Sequence, residues 1–375
     1  MASVNASKLN VAVLVETLMR EAISLNASDI HLVAGHAPVM RIDGEICLRK
    51  EHGPLLPQDT EAMAKTLASN GRWEQFVKDR ELDISVARPG LGRFRVNLYW
   101  QLDSVAVALR IIPDRIPKFA KLTLPPCLAE FALLDHGLFL VTGPTGSGKS
   151  TTLASMVDYI NENKSCNIIT IEDPIEYLHT PKNAVISQRE MHQDTHSFHE
   201  ALRRVLRQDP DVILIGELRD LETIQIAMTL AETGHLVLGT LHTVDATQAL
   251  SRIVDSFPGR QRAVARTQLA LVIAGIISQH LMKRRDGSGR VLAYELLVAT
   301  PAIRNMIRSN DLPQIYSAIQ TGTSEGMSTL NASLVDLYRR NCISREDAMR
   351  KSTQPKELSE LLMGRHSWRL ERSVA

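Results

Sequence analysis

Aromatic side chains are scarce in this sequence: seven Phe, six Tyr and three Trp make up 4% of its 375 residues. Packing must therefore rest on Leu, Ile, Val and Met. An excess of one charge is also missing. Lys plus Arg number 43 and Asp plus Glu 42, a formal net charge of +1. No global field holds nucleic acid or an anionic membrane, although a local basic patch stays open. The four cysteines, Cys47, Cys127, Cys166 and Cys342, are far apart and form no CxxC pair. That argues against a disulfide framework or a structural zinc site and fits a reducing cytoplasm. Long hydrophobic runs are lacking too. The longest, Leu269 to Ile277, has nine residues, too few to cross ~30 Å of hydrocarbon as a helix. The apolar stretch Val11 to Val15 is broken by Glu16 and does not read as a signal peptide. The expectation is a soluble chain linked to any membrane only through a partner.

What is present is an ordinary globular composition, 44% hydrophobic and 23% charged. The length suits two or three domains at ~150 residues each. Residues 1–112 read as an α+β unit. Leu9, Val13, Leu14, Leu18 and Ile23 form a helical stripe, and Asp29 to Val33 reads as a strand. A hairpin turns at Asp43-Gly44. Residues 58–78 look helical, and strands follow around Leu82, Phe94 and Val105. Residues 113–126 carry Pro113, Pro117, Pro125 and Pro126 and read as a linker. In residues 127–363, short apolar runs (Leu138–Val141, Ile168–Ile171, Val212–Ile215, Leu236–Leu241) alternate with helical patterns, as buried parallel strands with crossover helices do. Residues 262–282 read as one long apolar helix and Val291–Val298 as a further strand. From Pro301 to about Leu362 the chain reads as helical. The tail 364–375, with Arg365, Arg369 and Arg372, has no period and reads as flexible. No internal repeats are visible.

The sharpest motif is Gly143-Pro144-Thr145-Gly146-Ser147-Gly148-Lys149-Ser150, which fits GxxxxGK[ST] between an apolar strand and an amphipathic helix. Glycines let the backbone aim its N–H groups inward, and the helix that follows, opening Lys149-Ser150-Thr151, adds its positive end. Lys149 can reach β- and γ-phosphates, and the Ser150 hydroxyl can ligate Mg²⁺. Two later strands end in acids. Ile169-Thr-Ile-Glu172-Asp173-Pro-Ile-Glu176 is one; Val212-Ile-Leu-Ile-Gly216-Glu217 is the other, with Gly216 where a Walker B strand usually has Asp. Gly234-His235 precedes a strand that Leu241-His242-Thr243 ends, and His242 is a candidate sensor of the γ-phosphate.

Together these boxes resemble the secretion ATPases of type II and type IV systems over nearly the whole chain. Gly143–Ser150 resembles the family's Walker A and Ile171–Glu176 its Asp box. Leu206–Asp220 resembles its atypical Walker B, in which Gly216 is usual, and Thr233–Thr243 its His box. Within the family, Ser28-Asp-Ile-His-Leu32 and Ala302-Ile-Arg-Asn-Met-Ile-Arg308 are similar to the pilus retraction ATPases of twitching motility, with Ser309 in place of their final Glu. The resemblance implies an α/β fold: a RecA-like P-loop ATPase domain with a smaller N-terminal α+β PAS-like domain. It also implies a homohexamer using ATP and Mg²⁺, acting at the cytoplasmic face on an inner-membrane pilus platform protein, with room for a second retraction ATPase. Accessory retraction with weak hydrolysis, and pilus extension or type II secretion, are the alternatives. A DNA translocase fits less well.

Glu172 and Glu217 are both candidate bases. Glu172 is favoured, with Glu217 and Ser150 near the metal. Arg93 and Arg95, two apart on a strand and so on one face, are candidates for positive charge on the γ-phosphate; Arg110 is weaker. His192, His196 and His199 have a spacing that suits no particular metal site.

Overall fold

The computed structural model describes residues 2–363 apart from 43, 69, 70, 113, 114 and 288, and side chains from residue 11 onward. The 364–375 tail, Leu9's place in the stripe, Asp43 of the hairpin turn and Pro113 of the linker lie outside the described residues. The chain divides into two compact units, residues 1–115 and 116–375.

The first unit holds α1 (Ala2–Ser24), β1 (Ala27–Leu32), β2 (Val39–Ile42), β3 (Glu45–Leu48), α2 (Pro57–Leu67), α3 (Arg72–Asp79), β4 (Glu81–Arg88), β5 (Gly92–Gln101) and β6 (Ser104–Ile112). The six strands form one sheet in the order β3-β2-β1-β6-β5-β4, antiparallel at every pairing. Alternation explains why one face is dry. Phe94, Val96 and Leu98 enter a core shared with Leu18, Met19 and Phe76, while Arg93, Arg95 and Asn97 between them stay outside it. The α1 face differs from the stripe read in the sequence. Val15, Leu18, Met19 and Ala22 are buried at three- and four-residue spacing, and Val13 and Ile23 are exposed. Val13 lies off that register, and Ile23 sits at the end of the helix. The helical reading of 58–78 resolves into two helices, with Gly71 in a left-handed conformation (φ 77°) opening α3.

The second unit holds α4 (Leu128–Ala132), β7 (Gly137–Thr142), α5 (Lys149–Asn163), β8 (Asn167–Glu172), β9 (Val185–Glu190), α6 (Phe198–Val205), β10 (Val212–Ile215), α7 (Leu221–Glu232), β11 (Leu236–Leu241), α8 (Ala246–Asp255), α9 (Arg262–Val272), β12 (Ile273–Lys283) and β13 (Arg290–Val298). Five helices close it: α10 (Pro301–Ser309), α11 (Ile315–Thr321), α12 (Leu330–Arg339), α13 (Arg345–Lys351) and α14 (Pro355–Leu362). Its sheet runs β13-β12-β7-β11-β10-β8-β9, parallel except for the β12–β13 pair. The central strands β7, β10 and β11 are buried at every position because both faces are covered. Leu138 and Leu140 of β7 join one core, while Phe139 and Val141 join the other; Ile213 and Ile215 of β10 divide from Val212 and Leu214 in the same way. Each such side chain fully withdrawn from water contributes roughly 1.5–3 kcal/mol.

Residues 262–282 are not one helix. α9 ends at Val272, and Ile273–Lys283 is a strand between β7 and β13. A short run buried on both faces is apolar all round whether helix or strand, and the β-branched Ile273, Ile276 and Ile277 favour the pleated form. The order reverses at β7: the chain continues to β8 on one side and later returns to β12 on the other. Ligands of open α/β sheets gather at the carboxyl ends of strands beside such a switch.

Candidate active site

β7 delivers the chain into the glycine loop, and α5 carries it away. Gly143 has φ 140°, and a Cβ there would lie 2.4 Å from the Gln279 carbonyl oxygen and 2.6 Å from Ser147 Oγ. Only glycine lets the loop nest against β12 this closely. Gly148 precedes α5 in a left-handed conformation, and no side chain caps the helix. The first helical N–H to find a carbonyl in this turn is that of Thr152, bonded to Gly148. The amides ahead of it are open to an acceptor. The Lys149 ammonium donates to the carbonyls of Gly143 (2.8 Å) and Pro144 (3.1 Å). Burial lowers the lysine's pKa, opposed by the charge of Glu217. Ser147 Oγ is buried without a partner, whereas Ser150 is exposed at the helix start. Open amides, a buried ammonium and an orphaned hydroxyl form a donor set that fits a polyphosphate, and the Ser150 hydroxyl and Glu217 carboxylate are hard oxygen donors that fit Mg²⁺.

The two acidic strand ends meet because β8 and β10 are neighbours. A Cβ on Gly216 would stand 3.3 Å from Glu172 Cα and 3.4 Å from the Ile171 oxygen, so the small residue sets the spacing between the ends. Glu172 folds back on its strand: its Oε1 accepts from Thr170 Oγ1 (2.7 Å) and, at 3.4 Å, from Gln188 Nε2 of β9. Burial pushes its pKa to about 7 despite those hydrogen bonds. Glu217 has different company. Arg219 Nε lies 2.8 Å from its Oε2, and His242 Nε2 lies 3.5 Å from its Oε1. Arg219 also reaches Asp173 at 3.8 Å. His242 directly follows β11, and the loop behind it is tied down. His280 Nε2 sits 3.2 Å from the Val244 carbonyl oxygen, and Glu295 Oε1 accepts from Ala246 N at 2.9 Å.

The glycine loop, Lys149, Glu172, Glu217 and His242 thus stand at the carboxyl ends of β7, β8, β10 and β11 of one sheet. Arg93 and Arg95 belong to β5 of the first unit. Arg93 donates to Ser85 Oγ, and Arg95 stands opposite both Ser85 and Arg110 in the sheet register. Arg110 is engaged by Asp29, with Nε 2.8 Å from Oδ1. Burial works against the Asp29 charge, but the Ser28 hydroxyl and Arg110 together hold its carboxyl below the usual range. His199 pairs with Asp220 (3.1 Å) and Glu222 (3.3 Å). Among the described residues, the group with ligand atoms within metal-binding reach is Glu21, Glu51 and His52, which includes none of His192, His196 and His199. Sequence reasoning missed Thr170, Gln188, Tyr177 and Gln279. No sequence signal marked Gln188: Val185–Glu190 is a strand whose exposed Val185 and polar Ser187 hid the period.

Residues 5–288 match the family described as type II/IV secretion system protein. The type IV pilus retraction ATPase PilT of Pseudomonas aeruginosa is 46% identical over 88% of this chain and 95% of its own. A twitching motility protein of Neisseria gonorrhoeae is 41% identical over 93% of each. The crystal structure of the pilus retraction motor PilT with bound ADP matches with a TM-score of 0.86 and 51% identity, covering 92% of this chain and 98% of that one. No described helix is long and apolar enough to cross a membrane.

Proposed function

The chain belongs to the family of type II/IV secretion system proteins, and on that premise we propose that it is a hexameric ATPase whose turnover powers type IV pilus retraction. The observation that carries this reading is likeness along nearly the full length of both chains to a retraction ATPase. The glycine loop beside two acidic strand ends supplies the chemistry such an enzyme needs. Open amides and Lys149 bind the phosphates. Mg²⁺, held by Ser150 and Glu217, would neutralise charge on the phosphate oxygens. Glu172 takes the proton of the attacking water, a role suited to a carboxyl whose pKa lies near neutrality. His242, against Glu217, reports on the γ-phosphate. Arg93 and Arg95 supply positive charge to the transferring phosphoryl group, an effect worth ~10³–10⁵ in rate when an arginine provides it.

The motor would work at the cytoplasmic face of the inner membrane on a pilus platform protein, alone or beside a second retraction ATPase. Deleting the gene should leave excess, non-retracting pili and abolish twitching. Absent pili would instead indicate extension. Purified Lys149→Ala protein should lack turnover; intact activity would defeat the assignment of the loop.

A further inference from the structure

A network of polar side chains in the second unit surrounds Gln188. Thr170 and Glu172 of β8 stand opposite Gln188 and Glu190 of β9 in parallel register, so all four side chains lie on one face of the sheet. Gln188 uses its whole amide. Nε2 donates to Glu172 Oε1 (3.4 Å) and to the Tyr177 carbonyl (2.8 Å), and Oε1 accepts from the His179 backbone N–H (2.8 Å). Two residues on, Glu190 Oε2 accepts from Ile175 N at 3.1 Å. The strand therefore grips the loop behind Glu172 with two side chains of the same face. That loop reaches back to the phosphate site: the Tyr177 and Thr151 hydroxyls are 2.9 Å apart, and Thr151 lies in the first turn of α5.

We propose that Gln188 is a positioning residue for Glu172, fixing its carboxylate and tying it, through Tyr177 and Thr151, to the helix that follows the phosphate loop. The proposal rests on the base role given to Glu172 above. Physically, a carboxylate with free torsions samples orientations that do not face the water. An amide that holds both the carboxylate and the adjoining loop removes that freedom, and misplacement of a reacting group by about 1 Å can cost ~10²-fold in rate. Hydrogen bonds from Gln188 and Thr170 also favour the charged form of the acid, against its burial. The other charged groups around it are Glu176 on its own loop, Glu190 opposite on β9, and Glu217 with Arg219 at the β10 end. His179, beside Gln188, is driven down to about 4 by burial and is neutral at working pH.

The experiment compares full-length Gln188→Leu, Thr170→Val and Glu172→Gln proteins. ATPase pH profiles are measured alongside the affinity for a fluorescent ADP analogue. Gln188→Leu should lower kcat by about tenfold or more while analogue affinity stays within about twofold. Loss of donors to the carboxylate should also move the acid limb of kcat upward by roughly one pH unit. Thr170→Val, isosteric in a buried strand and so safe for folding, should move the limb in the same direction with a smaller loss of rate. Wild-type kcat and an unmoved limb in both variants, with Glu172→Gln inactive, would overturn the positioning role. Wild-type turnover in Glu172→Gln would instead overturn the base assignment beneath it.

Discussion

The ends of β8 and β10 each present one glutamate on neighbouring strands, and the surroundings of the two are opposite in kind. Glu172 is half-buried and held by a hydroxyl and an amide, both neutral. Glu217 lies between a guanidinium and an imidazole. Burial raises the proton affinity of the first carboxylate, while the second has its oxygens beside basic side chains. The first is suited to exchange a proton near neutral pH, the second to hold a metal. Under the proposed roles, the pair would separate base from ligand by environment, although the residues are chemically the same.

The strongest way to break this comparison is to neutralise each acid in turn. Glu172→Gln should retain ATP binding and lose about 10²–10⁴ in kcat. Glu217→Gln should mainly raise the Mg²⁺ concentration needed for half-maximal rate. ATPase titrations against pH and Mg²⁺ would exchange the roles if those patterns appeared reversed.

A second test uses stability. The folded pKa of Glu172, about 7, stands above the ordinary 4.5, so the native state binds the proton more tightly than the unfolded chain. Wild-type stability is therefore lost as pH rises from about 4.5 through 7. Glu172→Gln should melt higher than wild type at pH 8 and close to it at pH 4.5, read by thermal scans at both.

Gly216→Ala presses on both ends at once. Its Cβ must fit 3.3 Å from Glu172 Cα, and strain of this kind costs about 1–3 kcal/mol. Urea unfolding should report that loss together with reduced kcat. The smallest effect belongs to Arg219→Ala. This arginine is largely exposed, and such ion pairs contribute about 0–1 kcal/mol. Stability should hardly move, while the Mg²⁺ titration should shift slightly.

The sequence made the phosphate loop and both acidic ends legible because each joins a rigid spacing to an apolar strand. Lys149, Glu172 and Glu217 could be named from residue type and position alone. The β12 strand was hidden because Leu269–Ile277 carries no polar residue to reveal a period. The β9 strand was hidden for the opposite reason: at the sheet edge it is polar on both faces, so nothing in Val185–Glu190 separated inside from outside. Gln188, on that strand, consequently carried no chemical label. Its three hydrogen bonds are visible only once β8 and β9 are in register. The α1 stripe went astray because apolar residues there outnumber the buried positions, leaving Val13 and Ile23 on the wet side.

The Lys149 ammonium lies on the carbonyls of Gly143 and Pro144. A nucleotide arriving at this turn therefore meets a cation already engaged. The heat released as its phosphates take hold is reduced by the two contacts surrendered, and calorimetry should record a smaller enthalpy than an unattached lysine would yield. The same latch lets the turn keep its shape between one nucleotide and the next.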